Sequence, residues 1–151
     1  MIKIKSADNI EVTNSLQIAS GLSEWFTKDA LEKMQTDFIK QNLLLAIYKK
    51  EVISFLCFSK KKKYFQILWV GVKKTYKRKG VGTALLKKLI ELSKKLKVDS
   101  IRVETLTEDD DYKPYILTRA FYYKNNFKKI STKQPKKLGF DIQDVLEMKL
   151  K

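Results

Sequence analysis

The chain has 151 residues, with 32 Lys and Arg against 17 Asp and Glu, so its formal net charge is +15. It contains no His, which excludes Ser-His-Asp catalysis, Cys-His catalysis and imidazole metal sites, because each needs a base or ligand of near-neutral pKa. Its one Cys, Cys57, can close neither an intramolecular disulfide nor a zinc knuckle. An unpaired Cys in a Lys-rich chain favours a reducing compartment, so we expect a cytoplasmic protein without a metal site.

The length and the 44% hydrophobic content predict a single domain over residues 1–151. The longest apolar runs, 43–48 and 67–72, are far shorter than the ~20 residues that a membrane helix needs. The N-terminus has the alternation of a strand and lacks the apolar stretch of a signal peptide. We therefore expect a protein that is neither exported nor inserted into a membrane.

The first half of the chain predicts, in order, a strand at 2–5, short helical pieces over 14–26, a helix over 28–41, and strands over 43–48, 52–59 and 64–72. Thr27 is the expected N-cap of the 28–41 helix, because its hydroxyl precedes apolar residues at helical spacing. Lys49, Lys50 and Glu51 separate two apolar runs and predict a hairpin turn.

The second half begins with the clearest helical pattern in the chain. After Gly80-Val-Gly, four leucines mark one apolar face: Leu85, Leu89, Leu92 and Leu96. A strand over 100–106, a helix ending near Lys124, and strands near 127–131 and 145–150 follow. The element order predicts a mixed α+β fold with a βαβ unit over about 64–106, neither a Rossmann fold nor an all-helical DNA binder.

The segment from Val70 to Leu86 describes an anion-binding turn. Gly80 and Gly82 allow close backbone approach, and the first helical turn leaves N–H groups unpaired at the positive end of the helix dipole. Three adjacent cations, Lys77-Arg-Lys79, favour a phosphate or pyrophosphate. The turn has no Gly-Lys-Ser/Thr of a P-loop and no third Gly of a dinucleotide fingerprint, which excludes both as favoured interpretations.

The same segment resembles the GNAT superfamily of acetyl-CoA-dependent N-acetyltransferases. Lys77-Arg-Lys-Gly80-Val-Gly82 is similar to its signature Q/R-x-x-G-x-G/A, with Lys as the first residue. The stretch from Thr118 to Phe127 resembles a later helix of that family, although Asn126 stands where Gly is usual. The resemblance covers residues 43–131 and implies a GNAT-like fold, with a central mixed, mostly antiparallel sheet of six to seven strands flanked by about four helices.

The resemblance also implies roles for individual residues. The backbone of Val70 and Val72 would pair with the pantetheine arm of acetyl-CoA, the cosubstrate. Seven consecutive residues would hold its pyrophosphate: Lys77, Arg78, Lys79, Gly80, Val81, Gly82 and Thr83. Tyr122 is similar to the tyrosine that protonates the coenzyme A sulfur in many relatives, and its alternative role is that of a core aromatic.

The general base stays open at this point. Some relatives carry Glu on the central strand where this chain has Gln66, an amide that cannot usefully accept a proton. Glu104 is the nearest alternative carboxylate, with a salt bridge to a Lys as its competing role, and water is a further candidate. Asp109, Asp110 and Asp111 could attract a cationic amine, but a solvated loop with helix-capping residues is favoured. Trp25 and Phe26 are expected to belong to the core.

The implied function is acetyl transfer from acetyl-CoA to a primary amine of a small molecule, peptide or protein. An alternative is a GNAT-like module that binds acyl-CoA or a protein partner without turnover. A basic nucleic-acid binder is less favoured, because the lysines are dispersed and only three of the basic residues are Arg. A homodimer is compatible with the sequence, and the acceptor is not predicted.

Overall fold

The computed structural model describes residues 1–107, 111–134 and 142–150. The strands are β1 (Lys3–Ser6), β2 (Asn42–Tyr48), β3 (Glu51–Lys60), β4 (Tyr64–Val72), β5 (Ser100–Leu106), β6 (Lys128–Lys133) and β7 (Gln143–Lys149). The helices are α1 (Asn9–Ser20), α2 (Lys28–Lys40), α3 (Val81–Lys95) and α4 (Lys113–Lys124), and a 3₁₀ turn (Lys74–Tyr76) precedes α3. The predicted mixed α+β class and the predicted element order are confirmed.

The described strands form one seven-stranded sheet in the order β1-β2-β3-β4-β5-β7-β6. Every neighbouring pair is antiparallel except β4 and β5, which are parallel. Parallel neighbours need a crossover connection, and α3 supplies it. The predicted βαβ unit is therefore present, and it places the start of α3 directly after the end of β4.

Two hydrophobic cores lie on opposite faces of the sheet. One core packs α1 and α2 against β2 and β3 and includes Met34, Phe38 and Phe55. The other packs α3 and α4 against the sheet and includes Leu85, Leu89 and Tyr122. Helices α1 and α2 pack mainly on β2, β3 and β4 and leave the same face of β5, β7 and β6 largely uncovered by these helices. We call this part of the sheet the open face.

The first helix differs from its prediction. Instead of short pieces over 14–26, α1 is one helix that begins at Asn9. Asp8 and Glu11 form a capping box, in which each side chain accepts from the other residue's backbone N–H at 3.0 and 2.9 Å. This local start signal lies upstream of the apolar pattern, which is why the prediction began too late. The N-cap predicted at Thr27 is confirmed, with its hydroxyl accepting from Ala30 N–H at 3.2 Å.

Two smaller expectations also need correction. Leu96 was expected on the buried face of α3 but is 52% exposed, because the helix ends at Lys95 and Leu96 is its C-cap. Asp111 does not cap α4, whose N-cap is Tyr112 without a side-chain hydrogen bond. Asp109 and Asp110 lie outside the described residues. None of the described helices is long and apolar enough to span a membrane.

Candidate active site between strands β4 and β5

Strands β4 and β5 leave a gap in the centre of the sheet. Their parallel register begins at the pair Tyr64 and Ser100 and ends at the pair Ile67 and Val103. Both strands continue beyond that pair, β4 to Val72 and β5 to Leu106. The facing edges of these two continuations are not joined by pairs in the described register, so the gap can admit a ligand that hydrogen-bonds to a strand edge.

The edge of β4 that faces the gap carries the backbone of Val70 and Val72. Lys73 N–H donates to the Ile53 carbonyl of β3 at 2.9 Å. Backbone groups alternate in direction along an antiparallel strand, so Val72 and Val70 direct their N–H and C=O groups away from β3. Those groups are the ones that the family resemblance implies would pair with pantetheine, and here they point toward the gap.

The N-terminus of α3 lies just past this edge and is uncapped by any side chain. The first backbone bond of the helix is Ala84 N–H to the Gly80 carbonyl, at 3.0 Å. The N–H groups of Val81, Gly82 and Thr83 therefore precede the intrahelical ladder and remain donors for a ligand. The helix dipole adds partial positive charge, so the residues present fit a pyrophosphate.

Gly80 and Gly82 of this turn are required for different structural reasons. Gly80 has φ +78° and a Cβ there would meet nothing within 4 Å, so the left-handed backbone explains it. A Cβ on Gly82 would instead lie 3.3 Å from the Phe121 ring. Gly82 therefore serves the packing of α3 on α4, whereas the sequence had suggested ligand approach as its reason. Arg78 is also left-handed, with φ +62°.

The three cations of the turn do not point the same way. Arg78 and Lys79 are exposed beside the helix start. The Lys77 ammonium instead lies 3.1 Å from the centroid of the Trp25 ring. Burial, more than any other cause, lowers the pKa of Lys77, and Lys74 nearby acts in the same direction. Lys77 is thus engaged by an aromatic face in this structure.

Trp25 makes two long-range contacts that the sequence did not predict. It is half-buried against the α1 and α2 core, as expected, but its Nε1–H also donates to the Pro114 carbonyl at 3.1 Å. Trp25 therefore joins the loop after β4, through Lys77, to the start of α4. The neighbouring residue Glu24 pairs with Lys74 at 2.7 Å. These contacts cross long sequence distances, so no local pattern could have revealed them.

Tyr122 lies on the face of the sheet that α3 and α4 cover, and it is 4% exposed. Its ring packs edge-on against Phe121 and Phe127, each at a centroid distance of 5.2 Å. Burial raises the pKa of its phenol well above the ordinary value. The hydroxyl is therefore neutral at physiological pH and can act as a hydrogen-bond donor.

Glu104 lies on the open face, as the first β5 residue beyond the last pair with β4. Strand residues alternate between faces, so Glu104 points opposite to the buried Val103. Its Oε1 accepts from the Lys133 ammonium at 3.0 Å. The salt bridge that the sequence offered as the competing role of Glu104 is thus present.

Tyr122 and Glu104 approach the sheet from opposite faces, and the gap connects these faces. Gln66, in contrast, lies in the part of β4 that is paired with β5, opposite Arg102. A separate cavity of about 490 Å³ lies between α1 and the β2–β3 turn, and its lining includes neither Tyr122 nor Glu104.

Comparison with known proteins identifies the family. Residues 15–126 match the model of the Acetyltransferase (GNAT) family. The fold is similar to that of a candidate GNAT-family acetyltransferase from Desulfovibrio desulfuricans, with 13% identity, a TM-score of 0.88 and full coverage of both chains. It is also similar to a GNAT-family acetyltransferase from Staphylococcus aureus, with 18% identity, a TM-score of 0.77 and full coverage of both chains.

A third similar structure is the PaiA N-acetyltransferase from Thermoplasma acidophilum in complex with coenzyme A, with 19% identity, a TM-score of 0.79 and 99% coverage of each chain. A search of curated proteins finds no match. The structural likenesses, at these identities, show a common fold, and the family model covers most of the sequence. The chain therefore belongs to the Acetyltransferase (GNAT) family and is an acetyl-CoA-dependent N-acetyltransferase.

Proposed function

We propose that the acetyl group passes directly from acetyl-CoA, held in the β4–β5 gap, to a primary amine that approaches from the open face. The observation that carries the proposal is the end of the β4–β5 register at Ile67 and Val103, next to the uncapped start of α3. Cys57 is fully buried, and burial raises the pKa of its thiol to about 12. It is therefore unsuited to act as an acetyl-carrying nucleophile.

The cosubstrate would be held at two places. Val70 and Val72 would bind the pantetheine arm through their backbone, and the turn from Lys77 to Thr83 would bind the pyrophosphate through N–H groups and cations. When bound, acetyl-CoA supplies an activated acetyl thioester. Lys77 would have to leave the Trp25 ring to reach a phosphate, and an ammonium–phosphate contact is the stronger of the two.

Tyr122 and Glu104 would divide the proton transfers. Glu104, or a water beside it, accepts the proton that the acceptor amine loses as its nitrogen bonds to the acetyl carbon. Tyr122 donates a hydrogen bond, and finally a proton, to the sulfur as the carbon–sulfur bond breaks. The raised pKa of Tyr122 keeps the phenol protonated before the reaction. Together the two residues provide the proton acceptor and the proton donor that acetyl transfer needs.

Thermal unfolding with added ligands tests the cosubstrate site. A ligand that binds the native state raises stability by RT ln(1 + [L]/Kd). We expect acetyl-CoA and coenzyme A to raise Tm, and ATP and an oligonucleotide to have no comparable effect. A shift with the oligonucleotide alone would contradict the proposal and would favour nucleic-acid binding. An amine screen for thiol release then searches for the acceptor.

A second candidate function is that of a catalytically weak family member that mainly binds acyl-CoA. The observation that favours it is the engagement of Glu104 by Lys133, together with the amide at Gln66. The kcat of the wild type distinguishes the two functions, and Glu104→Gln tests the base, because the change preserves size and removes the carboxylate. We expect kcat to fall about 10²-fold or more, with the Kd of coenzyme A unchanged. An unchanged kcat would remove the base role of Glu104.

We also propose one domain over residues 1–151 and a cytoplasmic location. The elements of a single sheet, from β1 to β7, span nearly the whole chain. Cys57 lies free in the core, which is typical of proteins in reducing compartments.

A further inference from the structure

The ion pair between Glu104 and Lys133 crosses the open face of the sheet. Glu104 on β5 and Ser131 on β6 share the same β7 neighbour, Val145, so the pair bridges two strands over the one between them. The side chain of Lys133 is 53% exposed and that of Glu104 is 27% exposed. A solute that reaches the gap from this side would therefore meet the ammonium together with the carboxylate.

This ion pair restricts Glu104 in its proposed role. Lys133 contacts Oε1 of Glu104 at 3.0 Å, so an amine that approaches this oxygen must compete with the ammonium for it. The ammonium also repels the protonated form of an incoming amine. Glu104 is more accessible to an amine when Lys133 is drawn to another anion.

Two further carboxylates of the described residues are also engaged in ion pairs. Glu24 pairs with Lys74 at 2.7 Å, and Glu147 pairs with Arg102 at 2.8 Å. With a formal net charge of +15 over the chain, the long-range field repels cationic acceptors and attracts anionic ones. These charges favour an acceptor that carries negative charge of its own.

Building on the proposed function, we propose that the acceptor is an amine that carries its own carboxylate or phosphate. Lys133 binds that anion and thereby releases Glu104 to accept the amine proton. An ammonium has three N–H donors on a flexible stem, so Lys133 can move from one anion to the other while remaining hydrogen-bonded. Lys133 is thus a specificity-determining residue. An amine without an anionic group leaves Lys133 paired with Glu104.

The experiment compares matched amines on three forms of the full chain: wild type, Lys133→Met and Lys128→Met. One pair is alanyl-glutamate amide and alanyl-glutamine amide, and the other is phosphoethanolamine and ethanolamine. The first member of each pair carries the anionic group, and the second, called its neutral partner below, lacks it. Thiol release from acetyl-CoA gives kcat/KM for each amine, and thermal unfolding of the coenzyme A-loaded protein measures amine binding without turnover. The two pairs distinguish a carboxylate from a phosphate as the bound anion.

In wild type we expect at least one anionic amine to exceed its neutral partner about tenfold in kcat/KM and to give the larger thermal shift. In Lys133→Met that preference should fall below about threefold, and the rate with the amine that lacks an anionic group should rise, because no ammonium competes for Glu104. Lys128→Met removes a charge from the same strand and should keep the wild-type preference. A merely structural Lys133 would not make one amine better and the other worse.

Equal responses to the members of both pairs in wild type, including no response to any of the four amines, would overturn the inference. A preference that survives in Lys133→Met, or that is lost equally in Lys128→Met, would also overturn it. The thermal shift with coenzyme A alone keeps this result separate from the proposed function. A wild type that binds coenzyme A but shows no anion preference loses only the inference about the acceptor.

Discussion

The phenol of Tyr122 is enclosed by the rings of Phe121 and Phe127, each at a centroid distance of 5.2 Å. These surroundings are apolar, and burial raises the pKa of the phenol, so the hydroxyl stays protonated at physiological pH. A neutral phenol in apolar surroundings can donate a hydrogen bond, and then a proton, to a sulfur that develops negative charge. This environment suits a group that acts on a departing sulfur.

Tyr122→Phe removes this hydroxyl and leaves the ring packing in place. We expect kcat to fall by about 10²-fold, while the thermal shift with coenzyme A and the stability of the free protein stay close to wild type. If thiol release falls while coenzyme A binding is retained in the same preparation, the substitution affects the chemical step and not cosubstrate binding. Unchanged kcat would return Tyr122 to a purely structural role.

At the scale of elements, strand β4 forms one edge of the gap and contains a glycine that the core requires. A Cβ on Gly71 would lie 2.6 Å from two atoms of the Phe55 ring and 3.1 Å from Leu22. The Gly71 carbonyl also accepts from the buried Ser54 hydroxyl at 2.7 Å. The ring of Phe55 thus lies against the backbone of β4, between the two residues that face the gap.

Gly71→Ala should therefore lower the free energy of unfolding by about 1–3 kcal/mol through overpacking. The matched control is Phe55→Leu, which makes room for the added methyl group. We expect Gly71→Ala to cost clearly less in the Phe55→Leu background than in wild type, as measured by urea unfolding. An equal loss in both backgrounds would show that the strain does not come from Phe55.

The turn after α4 contains a residue with a left-handed backbone. Asn126 occupies the position where the resembling family has Gly, and its φ is +70°. Asn tolerates the left-handed region better than other residues with a side chain, so the fold keeps the same turn. The replacement of Gly by Asn at this position therefore preserves the backbone conformation of the turn.

At the scale of the whole molecule, burial of ionisable groups couples stability to pH. Cys57 lies at the centre of the α1 and α2 core, and burial, followed by the charge of Asp37, raises the pKa of its thiol to about 12. The folded state then holds the thiol proton more tightly than the unfolded state does. Stability from this group is complete below the ordinary pKa of 9.0 and is lost as pH rises toward 12.

We expect the free energy of unfolding to fall between pH 9 and pH 10 by about 1 kcal/mol through Cys57, since one pKa unit corresponds to about 1.4 kcal/mol. Cys57→Ala should be less stable at pH 7 but should lose less over this interval. Urea unfolding at pH 7, 9 and 10 measures both slopes. An equally steep loss in Cys57→Ala would exclude the thiol as the cause. Lysines titrate in both proteins and cancel in the comparison.

Much of the architecture follows from local pattern. The strand over 64–72 and the strand over 100–106 agree with β4 and β5 at both ends, because β-branched and aromatic runs with clear turn boundaries define them. The start of α3 also follows from local signals, since Gly80 and the apolar spacing after it specify where a helix begins. The start of α1 did not follow, because its signal is a capping box with little apolar periodicity.

The sequence by itself determined the element order, the anion-binding turn and the family resemblance, because these depend on residues close together in the chain. The tertiary structure decided which contacts form between distant segments. Lys77 lies on Trp25, Glu104 is held by Lys133, and Gly82 packs on Phe121. Each contact joins residues from different elements, and only the packing of the sheet and its helices brings them within a few ångströms of each other.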